Sequence, residues 1–458
     1  MGNVFIIVVT LFNSMYNVDI FIFDDRKFFM NTAVSAFLMK HNFVNHIDVL
    51  SLAQGILDDM KKGLRNEVSD QDMIRTFCNP PKNAVKNQSV IVIDAGGTNF
   101  RSCLVTFDAF GKPQISDMEK TCMPGVEREL SRKDFFEQIA ANLEHLKNKA
   151  DRIGFCFSYP MEIQKDGDGI LLGFSKEVKA PEVVGCKVGE CLKAVLAEHG
   201  WNSIKRVTMC NDTTSALLAG AACAGDTHRY SSYIGYILGT GMNAAYLQPE
   251  CECCKIEKQI VVCESGKFKN ICRSDFDIEF DKTTVKPGSF FLEKQCSGAY
   301  LGAVSWHILQ TAAREGLFSA KMNEQLLKLE MLTLIEMDKY LHSPYNKDCI
   351  LGKLACEVAT PLDCDMLFQL LDAVAERSAR CSAAILTACA IQTGEGKNAS
   401  MPICILCNGT TFYKTYKVRE RIYGYLDQIL TSQLGIYWDI VSCENDITLG
   451  TAISGLID

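Results

Sequence analysis

Two stretches combine residue types that can hold a phosphate. In Val90–Asp108 (VIVIDAGGTNFRSCLVTFD), apolar runs at Val90–Ile93 and Cys103–Thr106 flank the turn Asp94-Ala95-Gly96-Gly97-Thr98-Asn99. Without Cβ atoms, Gly96 and Gly97 let backbone N–H groups approach an anion, and Thr98 adds a hydroxyl donor. Asp94, at the strand end, can hold a magnesium ion through water. Tyr233–Leu247 (YIGYILGTGMNAAYL) repeats the pattern around Gly239-Thr240-Gly241, and Cys407–Phe412 (CNGTTF) is a fainter third version. An ordinary Gly-Gly hairpin has the same look, so one such stretch decides little. Between the first two, Asn211-Asp212 opens a helix, where an aspartate reads first as a cap.

Hydrophobic spacing gives the elements that must position these residues. Asn31–Leu64 reads as one or two helices, and Met73–Ala84, with Pro80-Pro81, as a linker. Ser131–Lys149 is an amphipathic helix opened by Ser131 and Asp134. Arg152–Pro160 (RIGFCFSYP) is a strand delivering Ser158 to a loop, and Lys165–Gly173 is a Gly/Asp turn shortly before Ser175 and Lys176. A helix at Cys186–His199, a strand at Val207–Cys210 and a helix at Thr213–Ala224 follow. The later chain is mostly helical: Gly298–Glu315, Met322–Glu336, Asp363–Thr393 and Val418–Gln433, with Gly316, Gly394 and Gly435 as stops. The echo of strand–GxT elements predicts two similar halves offering phosphate-binding turns to a shared cleft.

Composition narrows the class. The 458 residues are 48% hydrophobic and 22% charged, as in a soluble globular protein of two or three domains. A net charge of −8 argues against general affinity for nucleic acid or anionic membranes. The 22 cysteines have no regular spacing, and several (Cys156, Cys381, Cys389, Cys404) lie in apolar runs, which fits a reducing cytoplasm. Val4–Phe12 is apolar but too short to cross a bilayer, and it lacks a basic flank and a cleavage site. Residues 1–29 read as an over-extended gene start, with Met30 as initiator, or as a weakly membrane-associated leader.

In order along the chain, VIDAGGTNFR, GFCFSYP with a downstream Ser-Lys pair, CNDTTSALLAG, YIGYILGTGMNAAYL, CESGKF, PGSFFLEKQCSGAYLG and CNGTTFYK resemble the motifs of the hexokinase family, in a bacterial-type single-unit form. The resemblance implies an α/β fold of the two-domain, actin-like ATPase (ribonuclease H-like) kind, with duplicated mixed sheets flanked by helices around a central cleft. It implies a small domain of residues 85–215 with the C-terminal helix 446–458, and a large domain of 30–84 and 216–445. It also implies a cytoplasmic enzyme, monomer or homodimer, that performs the first step of glycolysis with ATP and Mg²⁺.

By the same resemblance, Ser158, Ser175, Lys176, Asn211, Asp212, Asn243, Glu264 and Glu293 line a hexose site, glucose being the expected sugar. Asp212 would take the proton of the 6-hydroxyl as it attacks the γ-phosphoryl of ATP, with Lys176 and Arg101 assisting. Asp94 would help hold Mg²⁺ through water, while Gly96, Gly97, Thr98, Asn99, Gly239 and Thr240 contact the phosphates themselves. Gly409, Thr410 and Lys414 lie where the family contacts adenosine. Closure of the domains on sugar would exclude water. Taken singly, each polar residue also has a plain reading as turn chemistry, cap or solvated charge.

Four departures from the family pattern stand out: Ser265 where an aromatic is usual, Glu177-Val178 after Lys176, Asn408 in place of an aspartate, and Asp446–Gly450 in place of a glycine-rich turn. They leave a catalytically weak sugar sensor as the alternative, and an actin-like ATPase module as a more distant one. The zinc-bearing bacterial sugar kinases share the fold, but Cys263-Glu264-Ser265-Gly266-Lys267 lacks their histidine. Cys251-Glu252-Cys253-Cys254 has no fourth ligand and reads as a loop of free thiols.

Overall fold

Apolar runs in each half of the chain build a mixed sheet. The structure, a computed structural model, describes residues 31–174, 178–223 and 229–457, so the leader expected at residues 1–29 lies outside it. The strands are β1 (Ile74–Arg75), β2 (Gln88–Gly96), β3 (Asn99–Phe107), β4 (Pro113–Cys122), β5 (Arg152–Phe157), β6 (Met161–Ile163), β7 (Gly169–Leu171), β8 (Arg206–Cys210), β9 (Ser232–Leu238), β10 (Met242–Gln248), β11 (Gln259–Val262), β12 (Ile403–Asn408) and β13 (Trp438–Val441). One sheet has the order β4-β3-β2-β5-β8, the other β1-β11-β10-β9-β12-β13, and β6-β7 form a separate hairpin. In each sheet an antiparallel meander, β2-β3-β4 or β9-β10-β11, is joined to two parallel strands, β5 and β8 or β12 and β13. The halves are therefore topological copies, with β1 added to the second.

Helices cover the outer faces. Arg132–Leu143 and Val188–Glu198 bury Phe135, Ile139, Leu192 and Leu196 in one core with Ile91, Ile93 and Phe155 of the first sheet. On the second sheet lies the Pro361–Thr393 helix of 33 residues, opened by a capping box of Thr360 and Asp363 and closed by Gly394 in the left-handed conformation. Thr32–Lys40 and Val49–Leu64 pack against it. No helix among the described residues is long and apolar enough to cross a membrane.

Two helices lie between the sheets, and each half lends its own to the other. Asp212–Cys223, which follows β8, packs on β9 and β12, while Asp446–Leu456, which follows β13, packs on β2, β5 and β8. They cross each other with no side chain between them: a Cβ on Gly450 would stand 1.8 Å from the Ser215 carbonyl oxygen. Below them, Cβ atoms on Gly154 and Gly235 would stand 2.2 Å from the Thr451 oxygen and 2.4 Å from the Thr213 oxygen. Leu217, Leu218, Leu449, Ala452, Ile453 and Leu456 fill the seam together with Val90, Val92, Ala245 and Ile260.

Several expectations change. The Met73–Ala84 linker contains β1, whose Ile74 pairs with Val262 of β11. Lys165–Gly173 is not a plain turn, because β7 returns on β6 to make a hairpin. The Met322–Glu336 helix is broken into Ala320–Leu326 and Leu334–His342, since Thr333 accepts the Glu336 N–H as a new N-cap. Val418–Leu426 gives way to a π-turn over Asp427–Gln433. CNGTTF leads not into a returning strand but into the short Thr410–Lys414 helix.

Candidate active site

The parallel strands β2, β5 and β8 end at one edge of the first sheet, where open α/β sheets bind ligands. Asp94 on β2 stands beside Cys156 on β5, which stands beside Cys210 on β8, so Asp94, Ser158 and Asn211-Asp212 leave adjacent strands together. β2 and β3 stay paired as far as Gly96 and Asn99, which shortens the turn to Gly97-Thr98, with Gly97 at φ 60°. The carbonyl of Gly97 accepts the Tyr159 hydroxyl at 3.3 Å. A Cβ on Gly96 would lie 3.2 Å from Ser158 Oγ, so backbone and serine meet closely here. Arg101, directly across from Asp94, pairs with it at 3.3 Å from a half-exposed position.

Asn211 takes the capping role, accepting the Thr214 N–H at 2.8 Å. That leaves Asp212 as the first residue of the helix, where its Oδ1 accepts the N–H of Thr213 at 2.8 Å and its hydroxyl at 3.2 Å.

The second turn, Gly239-Thr240-Gly241, joins β9 to β10 and is bolted to a helix start. The carbonyls of Gly239 and Thr240 accept the N–H groups of Gly298 and Ala299 at 2.8 and 3.1 Å, and Thr411 Oγ1 also donates to Gly239 at 2.8 Å. Gly409 sits at φ 116° with room for no Cβ, which would fall 2.2 Å from the Leu238 oxygen. The third glycine element thus abuts the second glycine turn. Thr410 and Lys414 begin and end the short helix there and are exposed.

Polar side chains gather at the start of β10. Asn243 Nδ2 donates to Glu264 Oε1 at 2.7 Å, and Asn243 Oδ1 accepts the Glu264 N–H at 3.0 Å. Glu293 accepts the Met242 N–H at 3.0 Å and the Tyr300 hydroxyl at 3.3 Å. Burial pushes the Glu264 carboxyl up from 4.5 to about 7, and the negative charges of Asp72 and Asp212 add to the rise while Lys267 and Asn243 oppose it. Glu264 therefore feels an acid of the other half.

That shift has a sign. A carboxyl bound to its proton more tightly when folded adds stability that is complete below pH 4.5 and lost as pH rises through about 7. Above that, its ionisation costs on the order of 3 kcal/mol. We expect Glu264→Gln to resist urea better than wild type at pH 8 by about that much, and to match it at pH 4.5. Equal stability of the two proteins at pH 8 would contradict this.

Ser175 and Lys176 lie outside the described residues. The remaining sugar-type residues fall into two groups, Ser158 with Asn211-Asp212 and Asn243 with Glu264 and Glu293, and each group adjoins a glycine turn. Sequence reasoning missed Thr411, Gly298 and Tyr300; the Ser297-Gly298 pair at a helix start was the available signal. It also treated two departures separately that meet in space: Asn408 Nδ2 donates to both carboxylate oxygens of Asp446, at 2.8 and 2.7 Å. The supposed degraded glycine turn is the first turn of the Asp446–Leu456 helix. An aspartate at 408 would oppose Asp446, so the amide accompanies the changed turn. Asn408→Asp alone should cost about 1–3 kcal/mol at pH 8 and less at pH 5, where the pair can share a proton; Asp446→Gly in the same chain should restore the loss. Thermal unfolding of the three proteins checks it.

Ser265, where the family has an aromatic, is fully buried, and its hydroxyl has no partner among the described residues.

Two mixed sheets of duplicated topology thus carry glycine turns and acid–amide clusters at their edges, an α/β fold of two like halves. Models of the hexokinase family match residues 37–222 and 233–457. Hexokinase-1 of Schizosaccharomyces pombe is 26% identical over 428 residues, covering 88% of this chain and 86% of its own. Glucokinase-1 of Kluyveromyces lactis is 27% identical over 393 residues, covering 75% and 81%. The solved hexokinase of Schistosoma mansoni, complexed with glucose, superposes with a TM-score of 0.72 at 22% identity over 93% of this chain and 99% of that one. This chain belongs to the hexokinase family, ATP-dependent kinases that phosphorylate sugars. The relatives named here are fungal and animal rather than bacterial.

Proposed function

We propose that the chain transfers the γ-phosphoryl group of ATP to the 6-hydroxyl of glucose or a related hexose, with Asp212 as general base, as the first step of cytoplasmic glycolysis. The observation that carries this reading is the placing of Asp212 at the shared edge of β2, β5 and β8, beside Ser158 and within the electrostatic reach of Glu264. Asn211 takes the capping role, and the Asp212 carboxylate stands at the helix start, where it accepts the N–H and the hydroxyl of Thr213.

Each group has a task. Asn211, Asn243, Glu264 and Glu293, with Ser158, Ser175 and Lys176, bind hydroxyls of the sugar. The glycine turns at Gly96–Asn99 and Gly239–Thr240 take the phosphates, Gly409, Thr410 and Lys414 lie at the adenosine end, and Arg101 steadies Asp94. Mg²⁺ suits an oxygen donor such as Asp94, since it commonly keeps its waters and shares substrate phosphates with one or two carboxylates. When bound it would neutralise phosphate charge. The small domain (85–215 with the C-terminal helix) and the large domain close on the sugar, which keeps water from the phosphoryl group.

Coupled release of ADP, measured over a panel of hexoses with Mg·ATP, tests the proposal. Hexose-dependent turnover that disappears in Asp212→Ala supports it. Hexose binding without turnover in either protein would instead favour the sugar sensor, to which Ser265 and Asn408 lend weight. ATP hydrolysis indifferent to sugar would favour the ATPase module.

A further inference from the structure

The hairpin between β10 and β11 carries its own cluster at the end remote from the cleft. Cys251 and Ile256 exchange backbone hydrogen bonds at 2.8 and 3.1 Å, and the Lys255 N–H closes a turn on the Glu252 carbonyl at 3.1 Å. This frame folds three thiols toward one another. Cys251 and Cys253 have sulfurs 3.2 Å apart, and Cys253 and Cys254 3.7 Å apart. All three sulfurs lie within 4.8 Å of one another, the one place among the described residues where three metal-ligating side chains meet. Cys251 and Cys254 are half-buried against the core of the second sheet, while Cys253 is exposed. The sulfurs are thus held from below and open from above.

Those separations suit a shared ion. Thiolates bound at about 2.3 Å to one tetrahedral centre have sulfurs roughly 3.8 Å apart. Ordinary surface thiols have no reason to converge, and here a hydrogen-bonded tip brings them together. We propose that Cys251, Cys253 and Cys254 form a three-thiolate site for a thiophilic d¹⁰ cation, Cu(I) or Zn(II). Three sulfurs complete a trigonal shell for Cu(I), and a water completes a tetrahedral one for Zn(II). The thiol protons pass to solvent as the metal–sulfur bonds form. Hard cations such as Mg²⁺ are excluded by the ligand type. The site is separate from the sugar chemistry: β10 runs seven residues from Met242 at the cleft to Gln248, about 20 Å of strand, before the tip begins.

The test titrates the reduced full-length chain, without oxygen, with Cu(I) or with Zn(II) against a chromophoric chelator. Wild type should hold one more tight equivalent than Cys253→Ser or the Cys251→Ser/Cys253→Ser double variant. Cys122→Ser, an exposed cysteine elsewhere, should keep that equivalent. Circular dichroism and sugar phosphorylation should be unchanged in Cys253→Ser, so a loss of metal cannot be a loss of fold. Which titration shows the difference identifies the ion. Equal stoichiometry in wild type and the double variant, with both metals, would overturn the proposal.

Discussion

Asp212→Asn should lower hexose-dependent turnover by about 10²–10⁴-fold while hexose affinity changes only a few-fold, the range expected when a positioned base is removed. The substitution is close to isosteric. Its amide oxygen can still accept from Thr213, and the helix start is secured by Asn211 and Thr214, so the fold should survive. What is lost is the group that takes the hydroxyl proton. Residual rate would come from alignment of the two substrates and from donors on the phosphates, which carry most of the catalysis in phosphoryl transfer. Calorimetric titration with hexose, beside the coupled assay, separates binding from turnover. Turnover within tenfold of wild type would remove Asp212 from the role.

Gly450→Ala should destabilise the protein by about 3 kcal/mol or more, the upper part of the range for overpacking. Its Cβ would stand 1.8 Å from the Ser215 oxygen, and also 2.4 and 2.7 Å from the Ser215 carbonyl and α carbons. These are backbone atoms of a helix packed on the second sheet, so no rotamer change relieves the clash. Either the Asp212–Cys223 and Asp446–Leu456 helices part, opening the seam lined by Leu217, Leu449 and Ile453, or the first sheet shifts. Because Asp212 begins one of those helices, turnover should fall as well. Gly424→Ala is the control: it lies in the Val418–Leu426 helix with open space around its Cβ, where alanine should be neutral or stabilise by up to about 1 kcal/mol. Denaturant melts of the two variants should therefore move in different directions, and a Gly450→Ala midpoint equal to wild type would contradict the crossing.

Local chemistry made part of this legible. Gly-Gly and Gly-Thr-Gly between apolar runs gave both hairpins, and glycine stops located helix ends such as Gly394. The motif order then carried the fold and the family. What escaped depends on distant partners. β1 is two residues whose only mark of strand is Val261-Val262, far along the chain. β4 is mostly exposed and so lacks the alternation that betrays a half-buried strand. Thr411 rather than Thr410 reaches the second turn because the short helix rotates it inward, which a strand-like reading of CNGTTF could not anticipate. The convergence of three thiols depends on the backbone frame of one hairpin tip, and spacing alone does not encode it.

The exchange of helices between the halves bears on synthesis. β2, β5 and β8 are made well before Asp446–Leu456, the helix that covers one face of their sheet. At about 5–20 residues per second, on the order of tens of seconds pass between completion of β8 and arrival of that helix. Throughout this interval Val90, Val92 and Val105 have no native cover. The growing chain therefore carries a sticky apolar sheet that only a much later helix can shield, which makes this stage the natural point for chaperone capture or aggregation.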